Sequence, residues 1–250
     1  MESLIQYYGD TNQGKVRETN EDAFCAQSIW EDKYILLLVV DGCGGYEGGE
    51  VASDIARKVI PEYLCGYTGG TRLELLKQAV IMANNRIHDA RDTDKRLEMM
   101  GCVLTAVIID KSNDLMFIAH VGDTRCYVYD GKELKKVTRD HSMIGELEDQ
   151  GYLTEREAMT HPSRSIIDRM IGDEYHNLND QFVDATIYPL PPTYQIMLCS
   201  DGLTDYVSSI EIRSILSKNY STEDKVKCLI DLANSKGGRD NITVVIANKN

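Results

Sequence analysis

Four aspartates stand where an apolar run meets a turn, and a set of this kind could hold hard cations. Ile35-Leu36-Leu37-Leu38-Val39-Val40 leads into Asp41-Gly42, Phe117-Ile118-Ala119-His120-Val121 into Gly122-Asp123, and Ile196-Met197-Leu198-Cys199 into Ser200-Asp201-Gly202. Asp240-Asn241 is the mirror case, ahead of Ile242-Thr243-Val244-Val245-Ile246. A buried strand fixes its terminal residue, so carboxylates delivered this way could converge at one edge of a sheet sandwich. Left unpaired, they would repel one another and their pKa values would rise. Divalent cations would resolve that conflict, and an all-oxygen donor set suits magnesium or manganese, calcium less specifically. The plain alternative is turn formation, because Asp-Gly is a common tight-turn dipeptide. Asp130-Gly131 illustrates it: Tyr127, Tyr129 and Leu134 alternate around it as in a hairpin, so Asp130 is set aside as a ligand. Asp41 and Asp201 differ, since the preceding run is continuously apolar and the residues after each read as loop or helix. For these two, both the turn and the functional readings stay open.

Asp41 also opens Asp-Gly-Cys-Gly-Gly-Tyr-Glu-Gly-Gly-Glu, whose glycines at 42, 44, 45, 48 and 49 would let backbone approach a ligand. No Lys-Ser/Thr follows at P-loop spacing, and a flexible loop entering a helix is the simpler reading. Upstream lies Arg17-Glu18-Thr19-Asn20-Glu21-Asp22. A surface arginine is usually just solvated, but a guanidinium beside a metal pair would be a bidentate partner for a phosphoryl group. The five histidines show no zinc-site spacing, and the seven cysteines form no C-x-x-C pair. An odd cysteine number in apolar runs reads as reduced thiols in the cytoplasm.

The elements that must position these residues are mostly strands. The pattern predicts strands over 3–9, 23–29, 34–40, 102–109, 115–121, 125–129, 181–188, 194–199 and 242–247. The run at 34–40 is apolar at consecutive positions, so both of its faces should be covered. Helices are expected over 48–64, from a Thr71/Glu74 capping box onward, and from near Ser208 and Thr222, the last stopping at Gly237-Gly238. Residues 141–180 are polar with helical pieces, including a second capping box at Thr154/Glu157, and read as a partly mobile insert. Helices gathered in two pairs among hairpin-linked strands indicate α+β with antiparallel sheets. No linker or repeat divides the 250 residues, so one domain is expected. A net charge of −13 speaks against nucleic-acid binding and against adhesion to anionic membranes. The N-terminus lacks the charge and apolar run of a signal peptide, and the longest apolar run is too short to span a bilayer.

Taken together, the motifs resemble the protein phosphatase 2C family, the metal-dependent phosphatases of phosphoserine and phosphothreonine. The resemblance rests on Arg17-x-x-Asn20-Glu21-Asp22, Val40-Asp41-Gly42-x-Gly44-Gly45, Met100-Gly101 with Thr105, Val121-Gly122-Asp123-Thr124-Arg125, Ser200-Asp201-Gly202-Leu203 with Asp205, and Gly238-x-Asp240-Asn241-Ile242-Thr243. Asp140-His141-Ser142 and His161-Pro162-x-Arg164 look like bacterial-type members with a flap. The resemblance implies a four-layer α-β-β-α sandwich and two divalent cations, manganese or magnesium. By it, Asp41 bridges both ions, the Gly42 carbonyl binds one, and Asp201 and Asp240 complete the other. Asp123 with Asp201 would hold a weaker third ion, Glu21 and Asp22 would hold metal-bound waters, and Arg17 would grip the phosphate. A water shared by two cations would attack phosphorus directly. Cys43 stands where many members carry a histidine, which puts the general acid in doubt. The implied partners are phosphoserine and phosphothreonine proteins and an opposing Ser/Thr kinase, with a monomer expected. Two alternatives are a catalytically weak pseudophosphatase that acts as a binding module, and a two-metal phosphoesterase for small substrates.

Overall fold

The computed structural model describes residues 5–44, 48–67 and 69–249. Gly45 of the glycine-rich loop and the first residues of the strand expected over 3–9 lie outside these. In chain order the elements are β1 (Ile5–Asn12), β2 (Asp22–Ile29), β3 (Tyr34–Cys43), α1 (Gly48–Gly66), α2 (Arg72–Arg91), β4 (Gly101–Asp110), β5 (Leu115–Val121), β6 (Arg125–Tyr129), β7 (Leu134–Lys136), α3 (Met143–Asp149), α4 (Glu155–Met159), β8 (Asp184–Pro189), β9 (Tyr194–Cys199), α5 (Asp201–Thr204), α6 (Ser209–Leu216), α7 (Thr222–Ser235) and β10 (Ile242–Lys249). The strands form two five-stranded antiparallel sheets, ordered β1-β10-β9-β6-β7 and β2-β3-β4-β5-β8.

The continuous apolar run of β3 is explained by its place in the stack. Leu36, Leu38 and Val40 face α1 and α2, where they pack with Ala52, Ala56, Ile60 and Leu76. Ile35, Leu37 and Val39 face the other sheet and, with Ile118 of their own sheet, meet Ile196, Leu198 and Val245. A third apolar layer joins the far side of that second sheet to α5, α6 and α7 through Leu203, Ile212, Val226 and Leu229. The result is the expected α-β-β-α sandwich. Each of these buried leucine, isoleucine and valine side chains contributes about 1.5–3 kcal/mol by leaving water.

Local chemistry sets the element ends. Thr71 caps α2 with a complete capping box to Glu74, and Thr154 does the same for α4 with Glu157. The strand expected over 181–188 begins only at Asp184. Ahead of it the chain follows α2 instead of a neighbouring strand. Asn84 accepts from Gly172 N at 2.8 Å and donates to Glu174 O at 2.7 Å, Asn85 exchanges bonds with the backbone of His176, and Lys77 donates to Leu178 O and Asp180 O. These side chains satisfy backbone groups of residues 172–180, which join no strand ladder. The segment 141–180 is thus tied at its return end to α2. Its helices are tied elsewhere: Glu148 of α3 to Arg125, and Glu155 of α4 to the backbone and hydroxyl of Ser209.

Candidate active site

Antiparallel register brings the aspartates to one end of both sheets. Asp22 at the start of β2 is paired with Asp41 near the end of β3. Asp123 follows the end of β5, Asp201 opens α5 just after β9, and Asp240 precedes β10. β10 lies between β1 and β9, so its start meets the end of each. The loop that carries Arg17 and Glu21 is stapled to this end by Asn241. Its Nδ2 donates to Gln13 O and Thr19 O, and its Oδ1 accepts from Glu21 N at 2.8 Å.

Close backbone approach explains two of the glycines. A Cβ on Gly42 would run into the carbonyls of Gly49 and Glu21, and one on Gly202 into the carbonyl of Asn241. The first residues of α1 therefore press against the strand that carries Asp41. The Cys43 thiol donates to Met170 Sδ at 3.0 Å. Burial and the charges of Asp123 and Glu21 push that thiol up to about 12, so it is neither a thiolate nor an acid for neutral pH.

The carboxylates sit in one another's field. Asp41 is raised well above the ordinary range, by burial first and then by the charges of Asp22, Asp201, Asp123 and Asp240. Asp201 is raised in the same way, with Asp123 and Asp205 its strongest neighbours. Asp123 is pushed up to about 7 by burial and then by Asp140, with Arg125 opposing. Asp22 rises to about 6 through burial, although it accepts from Ser200 Oγ at 2.7 Å. Glu21 is raised by burial, with Arg17 opposing. Arg17 donates through Nη2 to Asp240 at 2.8 Å, and Asp240 also accepts from Asn241 N at 2.9 Å. Among the described residues, no three His, Cys, Asp or Glu side chains surround one point as a finished ligand shell.

Asp205 is a residue to which the sequence assigned no role. It shares a pocket with Asp123, Asp201 and Arg125 beneath α3 and α4, and it is bound by Arg164 Nε at 2.5 Å. The available signal was its spacing of four from Asp201. Asp205 N donates to Asp201 O at 2.8 Å, so the two aspartates lie one helical turn apart.

The donor set fits hard divalent cations on its own chemistry: carboxylates and backbone carbonyls, negative in excess, with no imidazole or thiolate among them. The arrangement can concentrate positive charge at the ends of the strands and present one guanidinium beside it.

Comparison with known proteins places this geometry in a family. The chain is 34% identical over 246 residues to the serine/threonine phosphatase stp of Listeria welshimeri, covering 96% of this chain and 94% of that protein. The crystal structure of the Mycobacterium tuberculosis serine/threonine phosphatase PstP/Ppp superposes with a TM-score of 0.84 at 33% identity, covering 98% of each chain. A structure of the PstP catalytic domain in complex with two manganese ions superposes with a TM-score of 0.83 at 31% identity, over 98% of this chain and 97% of that one. The sequence model of protein phosphatase 2C matches residues 12–236. With that match across most of its length, and with the two-sheet sandwich and strand-end aspartates described above, the chain belongs to the protein phosphatase 2C family.

Proposed function

We propose that the chain removes phosphate from phosphoserine and phosphothreonine in proteins by direct transfer to water, with Asp41, the Gly42 carbonyl, Asp201 and Asp240 holding two divalent cations. Manganese or magnesium matches the donors, and Asp123 with Asp201 is read as the seat of a weaker third ion. The observation that carries the reading is the raised pKa of Asp41 and Asp201, each driven up by burial and by the charge of the other carboxylates. Carboxylates that destabilise one another in this way favour cations over protons once cations are available. Membership of the protein phosphatase 2C family makes the chain a serine/threonine phosphatase, and the manganese found in the PstP structure supports the metal assignment.

When bound, the cations supply an acidified water and neutralise charge on the phosphoryl oxygens. The protein's own groups do the remainder. Arg17 stands half exposed at the rim, and its pairing with Asp240 uses one terminal nitrogen. The other donors of its fork can take phosphoryl oxygens. Glu21 and Asp22, at the start of β2, are the acceptors for cation-held waters. The neighbouring Cys43 thiol is raised by burial and engaged with Met170, which fits a direct transfer to water without a thiol intermediate.

The reading takes residues 1–250 as one phosphatase domain with 141–180 as its flap-like insert. It takes the enzyme as a cytoplasmic monomer acting against a Ser/Thr kinase. The seven free thiols support the compartment, and relatives named as serine/threonine phosphatases support a role on phosphorylated serine and threonine. No helix among the described residues is long and apolar enough to cross a membrane. Release of phosphate from a phosphothreonine peptide tests the proposal. Activity should require manganese, nearly vanish in Asp201→Asn, and fall in Arg17→Ala. Full turnover in chelator would overturn it.

A further inference from the structure

We infer that His141 and His120 are a pair of positioning residues that hold the Gly122-Asp123-Thr124 turn and thereby set the direction in which Asp123 presents its carboxylate. The inference deepens the reading of Asp123 as a cation ligand and rests on it. It also gives a role to Thr105 and to Asp140-His141-Ser142, two sequence features the reaction itself leaves unused.

The turn has little to hold it from within. Gly122 has φ +104°, and a Cβ there would overlap the side chain of Val103, so its backbone is the only handle it offers. His141 takes both parts of that handle. Gly122 N donates to His141 Nδ1 at 3.1 Å, and His141 N donates to Gly122 O at 2.7 Å. On the other side of Asp123, Thr124 is fully buried, and its hydroxyl lies 2.8 Å from that of Thr105. Thr105 Oγ1 is in turn 2.9 Å from His120 Nδ1, and His120 Nε2 is 2.9 Å from Arg139 O.

These contacts fix the protons. A carbonyl can only accept, so His120 Nε2 carries hydrogen and Nδ1 accepts from Thr105. The Thr105 proton then faces both His120 Nδ1 and, at 3.1 Å, Thr124 O, while the Thr124 hydroxyl can donate to Thr105. His141 Nδ1 accepts from an amide, so its proton is on Nε2, 3.2 Å from Asp184 Oδ2. Both rings are neutral. Burial and the neighbouring His141 lower His120 to about 4, and burial lowers His141 with Asp184 opposing. The rings also lie against each other, with centroids 4.9 Å apart.

The far sides of both rings are anchored outside the turn. His141 O accepts from Asp168 N at 2.7 Å, and Asp184 is also held by Arg169 Nη1 at 3.1 Å. Each flank of Asp123 therefore hangs on an imidazole: His120 is fixed at its opposite edge to Arg139 O on the chain entering the insert, and His141 has its Nε2 3.2 Å from Asp184 of β8 without a well-aligned hydrogen bond. A ring with an acceptor and a donor on opposite edges performs this bridging with no rotating proton.

The test uses the whole protein and two readouts. In protein without added metal, amide hydrogen exchange across 121–125 should speed up about tenfold in His141→Ala, since its local anchor is gone. It should stay near wild type in His141→Asn, whose amide oxygen can replace Nδ1. Asp184→Ala, a change at a half-exposed position, should give a smaller effect at the same amides. In manganese titrations followed by calorimetry, His141→Ala should weaken the weakest binding step about tenfold, with the tighter steps unchanged. His141→Asn should restore that step. Unchanged exchange in both His141→Ala and Asp184→Ala would overturn the inference. So would a faster-exchanging turn in His141→Ala that still binds every manganese ion with wild-type affinity, where Asp123→Asn does not. If Asp123→Asn itself leaves every binding step unaltered, the cation reading of Asp123 falls, and the exchange data still decide whether the histidines hold the turn.

Discussion

Two charged clusters lie side by side at the ends of the strands, and Asp140 of one shifts in the opposite direction to Asp41 and Asp201 of the other. Around Arg125 the cluster is closed. Arg125 binds Asp140 at 2.6 Å and Glu148 at 2.9 Å, and Lys136 reaches Asp149 at 2.8 Å. Burial alone would raise Asp140, but Arg125 and Lys136 outweigh it and hold the carboxyl below its ordinary range. Around Asp41 the cluster is open. Burial raises Asp41 and Asp201, and their nearest charged neighbours raise them further. Desolvation in both clusters with opposite shifts distinguishes a structural ion network from a site suited to positive charge from outside the chain.

Removing one charged group should therefore have opposite consequences in the two clusters. Asp41→Asn should reduce phosphatase turnover by about a thousandfold, equivalent to roughly 4 kcal/mol of transition-state stabilisation. In chelator the same variant should unfold at higher urea than the wild type, because a source of repulsion is gone. Arg125→Ala should do the reverse to stability, lowering it by about 3–5 kcal/mol, since Asp140 and Glu148 would be left without their cation. Urea melts of both variants in chelator check the contrast. If Asp41→Asn proves less stable than wild type there, the open cluster is not strained by charge and the distinction fails.

A smaller effect should appear in the pH dependence of the protein in chelator. Asp22 near 6 and Asp123 near 7 lie above their unfolded value of about 3.9. Between those values the native state keeps protons that the unfolded chain has released. Their contribution is thus fully present below about pH 4 and is lost as the pH rises through 6 and 7. The urea midpoint in chelator should fall from pH 5 to pH 8. Manganese at a hundredfold over its Kd should restore about 2.7 kcal/mol at pH 8. At pH 5 it should restore less, because binding must first displace protons. An equal manganese effect at both pH values would mean that neither Asp123 as a ligand nor Asp22 as a holder of cation-bound water takes part in binding.

How much of this was legible in the sequence depended on how local each cause is. The apolar run of β3 showed both covered faces, and the capping boxes at Thr71 and Thr154 marked helix starts, because a few neighbouring residues determine each. The strand-end aspartates were visible for the same reason. Partners distant in sequence were not. Ser200 sits beside Asp201 yet bonds Asp22, 178 positions away, and Asn241 staples a loop more than two hundred residues upstream. The buried Asn84, which holds the return of the insert, looked like any polar residue on a helix. Asp205 was in plain view at helical spacing from Asp201, but only the pocket beneath the insert gives that spacing a meaning.

The smallest expected effect concerns a dipeptide that occurs in both kinds of place. Asp130-Gly131 has the same two residues as Asp41-Gly42 and Asp201-Gly202. Its carboxylate, however, accepts from Lys132 N and Glu133 N at 2.8 Å each, in the exposed turn between β6 and β7. Those two amides hold Asp130 below its ordinary range, opposite to Asp41. Asp130→Ala should lower Tm slightly by freeing the two donors, and turnover should be unchanged at saturating manganese. Asp130→Asn keeps an oxygen for the turn and should recover most of the Tm. A loss of turnover in Asp130→Ala that manganese does not repair would mean that the hairpin takes part in the reaction, and the sign of the pKa shift would then no longer separate a turn aspartate from a ligand.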